Sequence, residues 1–310
     1  MTRDEWLEDR RKSIGGSDAA AVIGLNRYRT PMEVYADKLG AFPPKEDTEA
    51  MRLGRDLEEY VAQRFCEETG KKVRRVAETI RNADFPFAHA NIDRRVIGEK
   101  AGLECKFSNS MSLKRYKNGE FPEEYYTQCV HYLAVTGWER WYLAVVIVGV
   151  GIKIFTIERD DEEINALMNA ERDFWNNHVL KGIPPEPQGT ASDNAAINSL
   201  FKESENDAPV ELVGFRDSLR LRDEIIMQIK TLVKEKQWIE QKIKIEMGEN
   251  ETAETEEYSV DWKTQTKTFF SKQLMHKVYP RLNIGKCMKV SRFRVMRIKR
   301  KEDANAADKD

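Results

Sequence analysis

The amino-acid sequence predicts an α/β fold in which helices flank a central mixed sheet. Helical and strand-like patterns alternate along residues 1–182, so the strands are expected to share one domain with the helices. The stretch YLAVVIVGVGIKIF (142–155) is apolar, rich in β-branched residues and broken by glycines, which predicts paired core strands. Pro31 and Gly70 stand at expected helix ends. We therefore expect a folded first domain over 1–182.

Composition restricts the class of protein. The chain has 310 residues, 40% hydrophobic and 34% charged, which is enough for one large or two ordinary domains. No apolar run approaches the roughly 20 residues that a membrane-spanning helix needs, and the first residues, MTRDEWLEDRRK, lack the apolar core of a secretory signal. The four cysteines show no C-x-x-C spacing, which argues against a zinc ribbon or an iron–sulfur cluster. We expect a cytoplasmic protein with no membrane partner.

The N-terminal region predicts a helix at 4–12 and a glycine turn that leads into a second helix. Residues 14–18 read IGGSD and precede three alanines, so Ser17 or Asp18 is expected to cap that helix. A helix N-terminus with Arg10 shortly before it is also the arrangement that binds phosphate. The local pattern leaves both interpretations open, a plain capped helix or a phosphate seat.

Further helices are predicted at 31–39 and 48–69, followed by a strand at 73–81. Glu58 and Glu59 lie in the middle of the longer helix, where a lone glutamate is more often solvated than functional. Helices are also expected at 125–137 and 160–180, on either side of strands within 141–159. Gln128 lies in the first of these, and a buried glutamine must form hydrogen bonds and is able to orient a water molecule.

The most informative stretch of the sequence lies between residues 89 and 107. The segment LECKF alternates as a strand does, so Glu104 and Lys106 point to the same side. If residues 91–97 and 102–107 pair as a hairpin, Asp93 faces them. Two buried carboxylates repel each other unless a cation uses them, and Mg²⁺ prefers oxygen ligands. The alternative is an ordinary surface hairpin that carries three charges.

The residue pattern changes after residue 182. Proline, glycine and small polar residues predict a linker at 183–207, and apolar residues every three or four positions predict a long amphipathic helix at 208–248. Polar interruptions favour packing of this helix on its own domain over an extended coiled coil. Within a basic region at 249–301, residues 258–301 contain thirteen Lys or Arg and one acid, interleaved with aromatics. This pattern indicates contact with nucleic acid or a solvated basic end, and 302–310 is expected to be a disordered tail.

Several motifs occur in an order that resembles the YqaJ-like viral recombinase family, which includes the exonuclease of bacteriophage lambda. The carrying segments are IGGSDAAAVIGLNRYRTPMEVYADKLG, LGRDLEE, ANIDRRV, LECKF and YYTQCVHYLAVTG, and the likeness covers roughly residues 5–200. Each segment is common alone, whereas the ordered set is specific. The resemblance implies a restriction-endonuclease-like PD-(D/E)XK core, here followed by a long C-terminal helix and a basic tail that contains β-structure.

By this resemblance the candidate catalytic residues can be named. They are Glu58 (with Glu59 as the fallback), Asp93, Glu104, Lys106 and Gln128. The metal ligands are expected to be Asp93, Glu104, the carbonyl of Cys105 and Glu58, holding Mg²⁺ or, in its place, Mn²⁺. Ile92 stands where the family usually has proline before Asp93, which leaves the ligand intact.

Contacts to DNA are expected from two parts of the chain. Arg10 and Ser17 match positions that hold a 5′-terminal phosphate in the family. The C-terminal candidates come from the basic pattern and are Lys263, Lys267, Arg292 and Arg294.

The resemblance implies a Mg²⁺-dependent 5′→3′ exonuclease on double-stranded DNA that acts in phage-type recombination inside a bacterial host. An annealing protein that receives the 3′ single strand and a ring-shaped homotrimer are implied in the same way. Two alternatives remain open. One is a structure-specific endonuclease of the same fold, and the other is a DNA-binding or assembly protein without catalysis.

Overall fold

The structure, a computed structural model, describes residues 3–42, 48–204 and 206–279 and the single positions 294, 296 and 298. The chain divides into two compact units, each described here by itself. The first unit comprises Met1–Glu203 and Arg294–Asp310, and the second comprises Ser204–Phe293.

The first unit is built on two sheets. Its strands are β1 (Ile14–Gly15), β2 (Val73–Arg75), β3 (Ile80–Arg81), β4 (Ala88–Ala90), β5 (Arg94–Val96), β6 (Ala101–Ser108), β7 (Arg140–Ile147) and β8 (Gly151–Glu158). The larger sheet has the order β2-β5-β6-β7-β8, in which β6 and β7 are parallel and the other pairs antiparallel. The smaller sheet has the order β1-β4-β3. The predicted central mixed sheet is thus present.

Helices cover this framework. They are α1 (Arg3–Arg11), α2 (Gly16–Val22), α3 (Pro31–Lys38), α4 (Glu49–Thr69), α5 (Glu123–Thr136), α6 (Asp161–Phe174) and α7 (Ala191–Leu200), with a 3₁₀ segment at Ser110–Tyr116 and a π-helical turn at Trp175–Val179. The hydroxyls of Thr30 and Thr48 cap α3 and α4 by accepting from backbone N–H groups, and left-handed Gly70 and Gly137 end α4 and α5. Local sequence therefore sets most helix ends.

Apolar clusters lie on both faces of the larger sheet. Side chains of α4, among them Phe65, pack on one face with Leu103 of β6, and side chains of α5 pack on the other with Leu143 of β7. Because β7 is covered on both sides, it reads as an almost continuous apolar run, WYLAVVI. Gly102 is required in β6, since a Cβ there would lie 2.3 Å from the ring of Trp141.

Three predicted features of the first unit differ in the structure. The single strand expected at 73–81 is two short strands, because β2 pairs with β5 in one sheet and β3 with β4 in the other. Part of the predicted linker at 183–207 is the helix α7, which Thr190 caps and whose buried Ala196 packs with residues of α3. The cap of α2 is Gly15, whose N–H donates to the carboxylate of Asp18 at 3.2 Å.

The second unit contains α8 (Arg216–Met247), β9 (Thr252–Glu254), β10 (Ser259–Asp261) and α9 (Lys272–Val278). Strands β9 and β10 form an antiparallel hairpin within the predicted basic region. Helix α8 begins later than the predicted 208, after an irregular segment with left-handed Gly214. Its apolar side chains are largely exposed and only Met247 is buried, so packing on its own domain was the wrong expectation. The other predicted domain bounds stay predictions.

The sequence also predicted a disordered C-terminal tail and no membrane-spanning helix. The predicted disordered tail at 302–310 lies outside the described residues. Within the part of the chain that is described, no helix is long and apolar enough to cross a membrane.

Candidate functional site

The hairpin of β5 and β6 brings the two predicted carboxylates together. Arg94 pairs with Leu103 in the antiparallel register, and continuing that register by one residue places Asp93 opposite Glu104. The backbone N–H of Cys105 donates to Oδ2 of Asp93 at 2.8 Å and fixes the direction of its carboxylate. The predicted hairpin is therefore confirmed, with residues 94–95 paired to residues 102–103.

Glu104 is the centre of a side-chain network. Its Oε1 accepts from Nζ of Lys106 at 2.6 Å and from Nε2 of Gln128 at 2.8 Å, which brings three of the predicted site residues into contact. Glu104 is 3% exposed, and its Oε2 is buried with no hydrogen-bond partner among the described residues. A buried carboxylate oxygen without a partner costs free energy unless a ligand satisfies it.

Burial and mutual repulsion shift the protonation equilibria of this network. Burial raises the pKa of Asp93 well above its usual value, and the charges of Glu104 and Glu58 act in the same direction against that of Lys106. Burial alone would lower the pKa of Lys106, but the nearby carboxylates of Glu104 and Asp93 raise it. Burial also raises the pKa of the Cys105 thiol, so this residue offers its backbone and not a thiolate. Lys106 is therefore a charged partner of the carboxylates.

The helix α4 contributes two adjacent glutamates to the edge of this network. Arg94 donates from Nη1 to Glu58 and, at 2.8 Å, to the carbonyl of Asp93, while its Nη2 donates to Glu59 at 2.9 Å. The side chain of Glu58 is 22% exposed and that of Glu59 80% exposed. The charge of Glu58 also acts on Asp93, so Glu58 stays the predicted site residue, with Glu59 as the fallback.

Tyr132 links this site to the rest of the fold, and the sequence analysis missed it. Its hydroxyl accepts from Nε2 of Gln128 at 2.8 Å and donates to the carbonyl of Asn91 at 2.9 Å, two residues before the Asp93 carboxylate. A Cβ on Gly16 would lie 2.6 Å from the Tyr132 ring, so that glycine permits close packing. The spacing of four residues from Gln128 to Tyr132 was the available signal, because it places both on one face of α5.

Arg10 and Ser17, the residues predicted to bind a terminal phosphate, lie beside a buried ionic cluster. Nη2 of Arg10 donates to the hydroxyl of Ser17 at 2.8 Å. The neighbouring Asp18 is fully buried and bonds to Nζ of Lys38 at 2.6 Å and to the guanidinium of Arg29. Burial alone would raise the pKa of Asp18, but these cations and Arg10 hold it well below its usual range. No local sequence pattern predicts that Lys38 and Arg29 contact Asp18.

A chain of buried polar groups connects α6, α5 and β4. Nδ1 of His131 bonds to the carboxylate of Glu171 at 2.8 Å, and Nε2 of His131 donates to the carbonyl of His89 at 2.9 Å. Burial alone would lower the pKa of His131, but Glu171 raises it. Burial lowers the pKa of His89 to about 3, so its neutral ring shares a 2.8 Å hydrogen bond with Ser13.

Comparison with known proteins identifies the family of the chain. The family model of the YqaJ-like viral recombinase domain matches residues 5–139. The uncharacterized protein YqaJ of Bacillus subtilis (strain 168) is 40% identical over 267 residues, which cover 85% of this chain and 84% of that protein. The chain belongs to the YqaJ-like viral recombinase family.

Solved structures share the fold of this YqaJ-like chain. The crystal structure of an alkaline exonuclease (LHK-Exo) from Laribacter hongkongensis matches with a TM-score of 0.50 and 24% identity, over 58% of this chain and 94% of that chain. Its complex with dAMP matches with a TM-score of 0.51 and 23% identity over the same shares. The predicted mixed α/β fold is thus confirmed, and it is the fold of an alkaline exonuclease.

The C-terminal candidates for DNA contact lie apart from this network in the sequence, and their role stays a prediction. Lys263 pairs with Asp261 at 2.6 Å, Lys267 is exposed, and both belong to the second unit. Arg294 is exposed and belongs to the first unit, whereas Arg292 lies outside the described residues.

The donor set of the YqaJ-like site fits a hard divalent cation. Asp93 and Glu104 offer carboxylate oxygens, and Oε2 of Glu104 has no other described partner. Mg²⁺ binds through one or two carboxylates together with substrate phosphate and water. Among the described residues, no group of three or more His, Cys, Asp or Glu side chains is placed to hold a metal ion. Glu58 is paired with Arg94. The fit therefore rests on two carboxylates.

Proposed function

We propose that this protein is a Mg²⁺-dependent deoxyribonuclease that digests double-stranded DNA from its ends in the 5′→3′ direction, as part of phage-type recombination. One observation carries the proposal. Asp93 and Glu104 lie opposite each other on neighbouring strands, with Lys106 and Gln128 bonded to one oxygen of Glu104 and its second oxygen buried without a described partner. Such a set has no structural purpose that a pair of apolar residues would not serve better.

The metal has a defined place in this proposal. Asp93 and Glu104 would hold it through carboxylate oxygens, and the carbonyl of Cys105 would be the further ligand that the resemblance implies. A bound divalent cation withdraws charge from the phosphoryl oxygens and lowers the pKa of a bound water. Mn²⁺ is expected to replace Mg²⁺, since it also accepts oxygen ligands.

The chain's own groups orient the substrate and balance charge. Nζ of Lys106 bonds to Oε1 of Glu104 at 2.6 Å, which places it beside the carboxylates to position or deprotonate the attacking water. Gln128 bonds at once to Glu104 and to Tyr132, which fixes the amide that faces the substrate. Tyr132 in turn holds the loop before Asp93 through the carbonyl of Asn91.

Two side chains in the first unit support a preference for DNA ends. Arg10 and Ser17 are bonded to each other and present a guanidinium and a hydroxyl, the groups that bind a terminal phosphate through charge-assisted hydrogen bonds. Anchoring that phosphate places an end, rather than an internal bond, at the carboxylates. The dAMP complex of the Laribacter alkaline exonuclease adds support, since dAMP is the type of product that stepwise hydrolysis releases.

The test is digestion of 5′-end-labelled and 3′-end-labelled linear duplex by the full chain, with Mg²⁺ and with EDTA. We expect mononucleotide release that begins at 5′ ends, needs Mg²⁺ and is lost in Asp93→Asn and Lys106→Ala. Glu68→Gln, an exposed change elsewhere on α4, is the control. Unchanged rates in both site variants would overturn the site assignment.

Digestion of closed circular DNA distinguishes an exonuclease from the two alternative functions. Cleavage of circles at the rate of linear duplex supports the structure-specific endonuclease. Salt-sensitive binding without cleavage in any divalent metal supports the DNA-binding protein. The annealing partner and the ring-shaped homotrimer remain predictions from the family, and light scattering of the purified chain tests the second.

A further inference from the structure

Helix α8 of the second unit exposes most of its apolar side chains. The helix has 32 residues, which makes it roughly 48 Å long at a rise of 1.5 Å per residue. Among the described residues of this helix, only Met247 is buried. Most of the stability of a helix in a protein comes from packing of its apolar face and not from helix propensity. Helix α8 therefore has an apolar face that is left for a partner to cover.

Five exposed aliphatic side chains form a stripe along α8, which we call the α8 seam. All five are between 37% and 62% exposed, and they are Ile225, Ile229, Leu232, Ile239 and Ile243. Steps of four and three residues, with one step of seven, follow the a and d positions of a coiled coil. A helix with this repeat keeps the five side chains on one face, so they are able to contact a second helix together.

Three charged residues occupy the remaining positions of this repeat and decide the direction of a partner helix. They are Arg222, Lys236 and Glu246. In a parallel pair with matched register each of them would face its own copy, which brings like charges together in three layers. In an antiparallel pair centred on Lys234, Arg222 instead faces Glu246 of the second copy, once at each end. Charge complementarity therefore favours an antiparallel pair of α8 helices.

The same antiparallel register brings the aliphatic side chains of the α8 seam together. Ile225 faces Ile243 of the second copy, and Ile229 faces Ile239 of the second copy. Each contact occurs twice because the two helices are related by symmetry. The pairing thus removes from water the apolar surface that a single chain exposes.

Lys236 lies near the centre of this pair, opposite Leu232 of the second copy. Its ammonium group contacts Glu240 of its own helix at 3.2 Å, and its side chain is 73% exposed. A lysine covers an apolar neighbour with its methylene stem while its ammonium group stays in water. A single lysine at such a position also specifies the register and the number of helices. Lys236 therefore fits a pair of helices, where the edge of the seam stays in contact with water.

We propose that α8 is a self-association surface, which pairs with α8 of a second copy of this chain as an antiparallel two-stranded coiled coil. The inference is independent of the proposed function, because none of the candidate site residues lies on α8. An antiparallel pair has two-fold symmetry, so it doubles the number of chains in whatever assembly forms without it. The competing occupants of the seam are another segment of the same chain and a different protein.

The first experiment measures the mass of the full chain in solution by sedimentation equilibrium. Ile229→Glu places a charge in the α8 seam, and we expect the mass to fall to about half that of wild type. Met227→Glu is the matched control, since Met227 is 62% exposed and lies two residues earlier, outside the seam. Far-UV circular dichroism of each variant shows whether the chain stays folded. A mass that is the same in Ile229→Glu and wild type would overturn the proposal and support one of the competing occupants.

A charge exchange tests the antiparallel register and does not depend on the folding of Ile229→Glu. Arg222→Glu and Glu246→Arg each place like charges at both ends of the pair, and each should weaken self-association at least about tenfold. The double variant restores the opposite charges and should return to within about threefold of wild type. Lys234→Glu, outside the seam, is the control. A double variant that associates no better than the single variants would overturn the antiparallel pair.

Discussion

Two buried aspartates in the same unit have opposite electrostatic environments. Asp18 is bonded to Lys38 and Arg29 with Arg10 close by, and these cations hold its pKa well below the usual range. Asp93 is buried beside Glu104 and within range of Glu58, and its pKa is raised well above the usual value. Burial raises the pKa in both cases, so the neighbouring charges decide the outcome.

The comparison separates a structural carboxylate from a functional one. Ionised Asp18 is fully compensated by side chains and stabilises the fold at neutral pH. Ionised Asp93 is under-compensated and destabilises the fold until something with positive charge binds. A site that stabilises only when occupied is a candidate for ligand binding.

The largest effect is expected at Asp18. Asp18→Asn leaves Lys38 and Arg29 without their buried partner, and we expect the free energy of unfolding at pH 7 to fall by about 3–5 kcal/mol. Denaturant unfolding measures it, with Asp37→Asn as control. Asp37 also pairs with Arg29, but its side chain is 37% exposed, so that change should cost less than about 1 kcal/mol. Equal costs for the two variants would contradict the contrast.

The pH dependence of the Asp18 contribution has a defined sign. Because the folded pKa is lowered, the contribution is present above the unfolded value, 3.8, and is lost as the pH falls through the folded pKa. The difference between wild type and Asp18→Asn should therefore shrink only in strong acid. A difference that already disappears at pH 5 would show that the buried cluster is not the cause.

Asp93→Asn should lower activity without lowering stability, the opposite of what is expected for Asp18→Asn. We expect nuclease activity on linear duplex to fall by about 10²–10³-fold, while the free energy of unfolding without metal stays equal or rises. Stability does not fall because the substitution removes a buried charge that faces Glu104 and keeps an acceptor for the N–H of Cys105. Matched thermal melts and digestion rates measure both effects. A loss of stability as large as that of Asp18→Asn would show that Asp93 stabilises the fold, as Asp18 does.

His131, which bonds to Glu171 and to the carbonyl of His89, should show a weaker effect with its own pH dependence. His131→Gln is expected to cost about 1.5–3 kcal/mol at pH 6, because it leaves Glu171 without its charged partner. Since the folded pKa is raised, the contribution is full below the unfolded value, 6.5, and declines as the pH rises through the folded pKa. His178→Gln is the control. A cost that grows with pH would contradict this assignment.

The smallest effect is expected at Ser17. Ser17→Ala removes one neutral hydroxyl beside Arg10, and we expect the preference for 5′-phosphate over 5′-hydroxyl ends to fall by up to about tenfold. The ratio of the two rates within each variant is an internal control for stability. A preference that does not change would place the terminal phosphate elsewhere.

Much of the fold followed from local sequence. The glycine and proline at helix ends, the apolar run at 142–155 and the alternation around Glu104 predicted helices, strands and the hairpin, because capping and side-chain period are local properties. The predicted strand at 73–81 and the predicted linker failed for the opposite reason. Which sheet a short strand joins, and whether Ala191–Leu200 has a partner helix, depends on distant residues.

The sequence by itself was enough to name Asp93, Glu104, Lys106 and Gln128 as candidate residues. The order of the motifs and the two-residue period of a strand can both be read from the sequence alone. Only the tertiary structure decided their environment. The pairing of Arg94 with Glu58 joins positions 36 residues apart, and Lys38 meets Asp18 across 20. Electrostatic free energies depend on distance and burial in space, so no local pattern contains them.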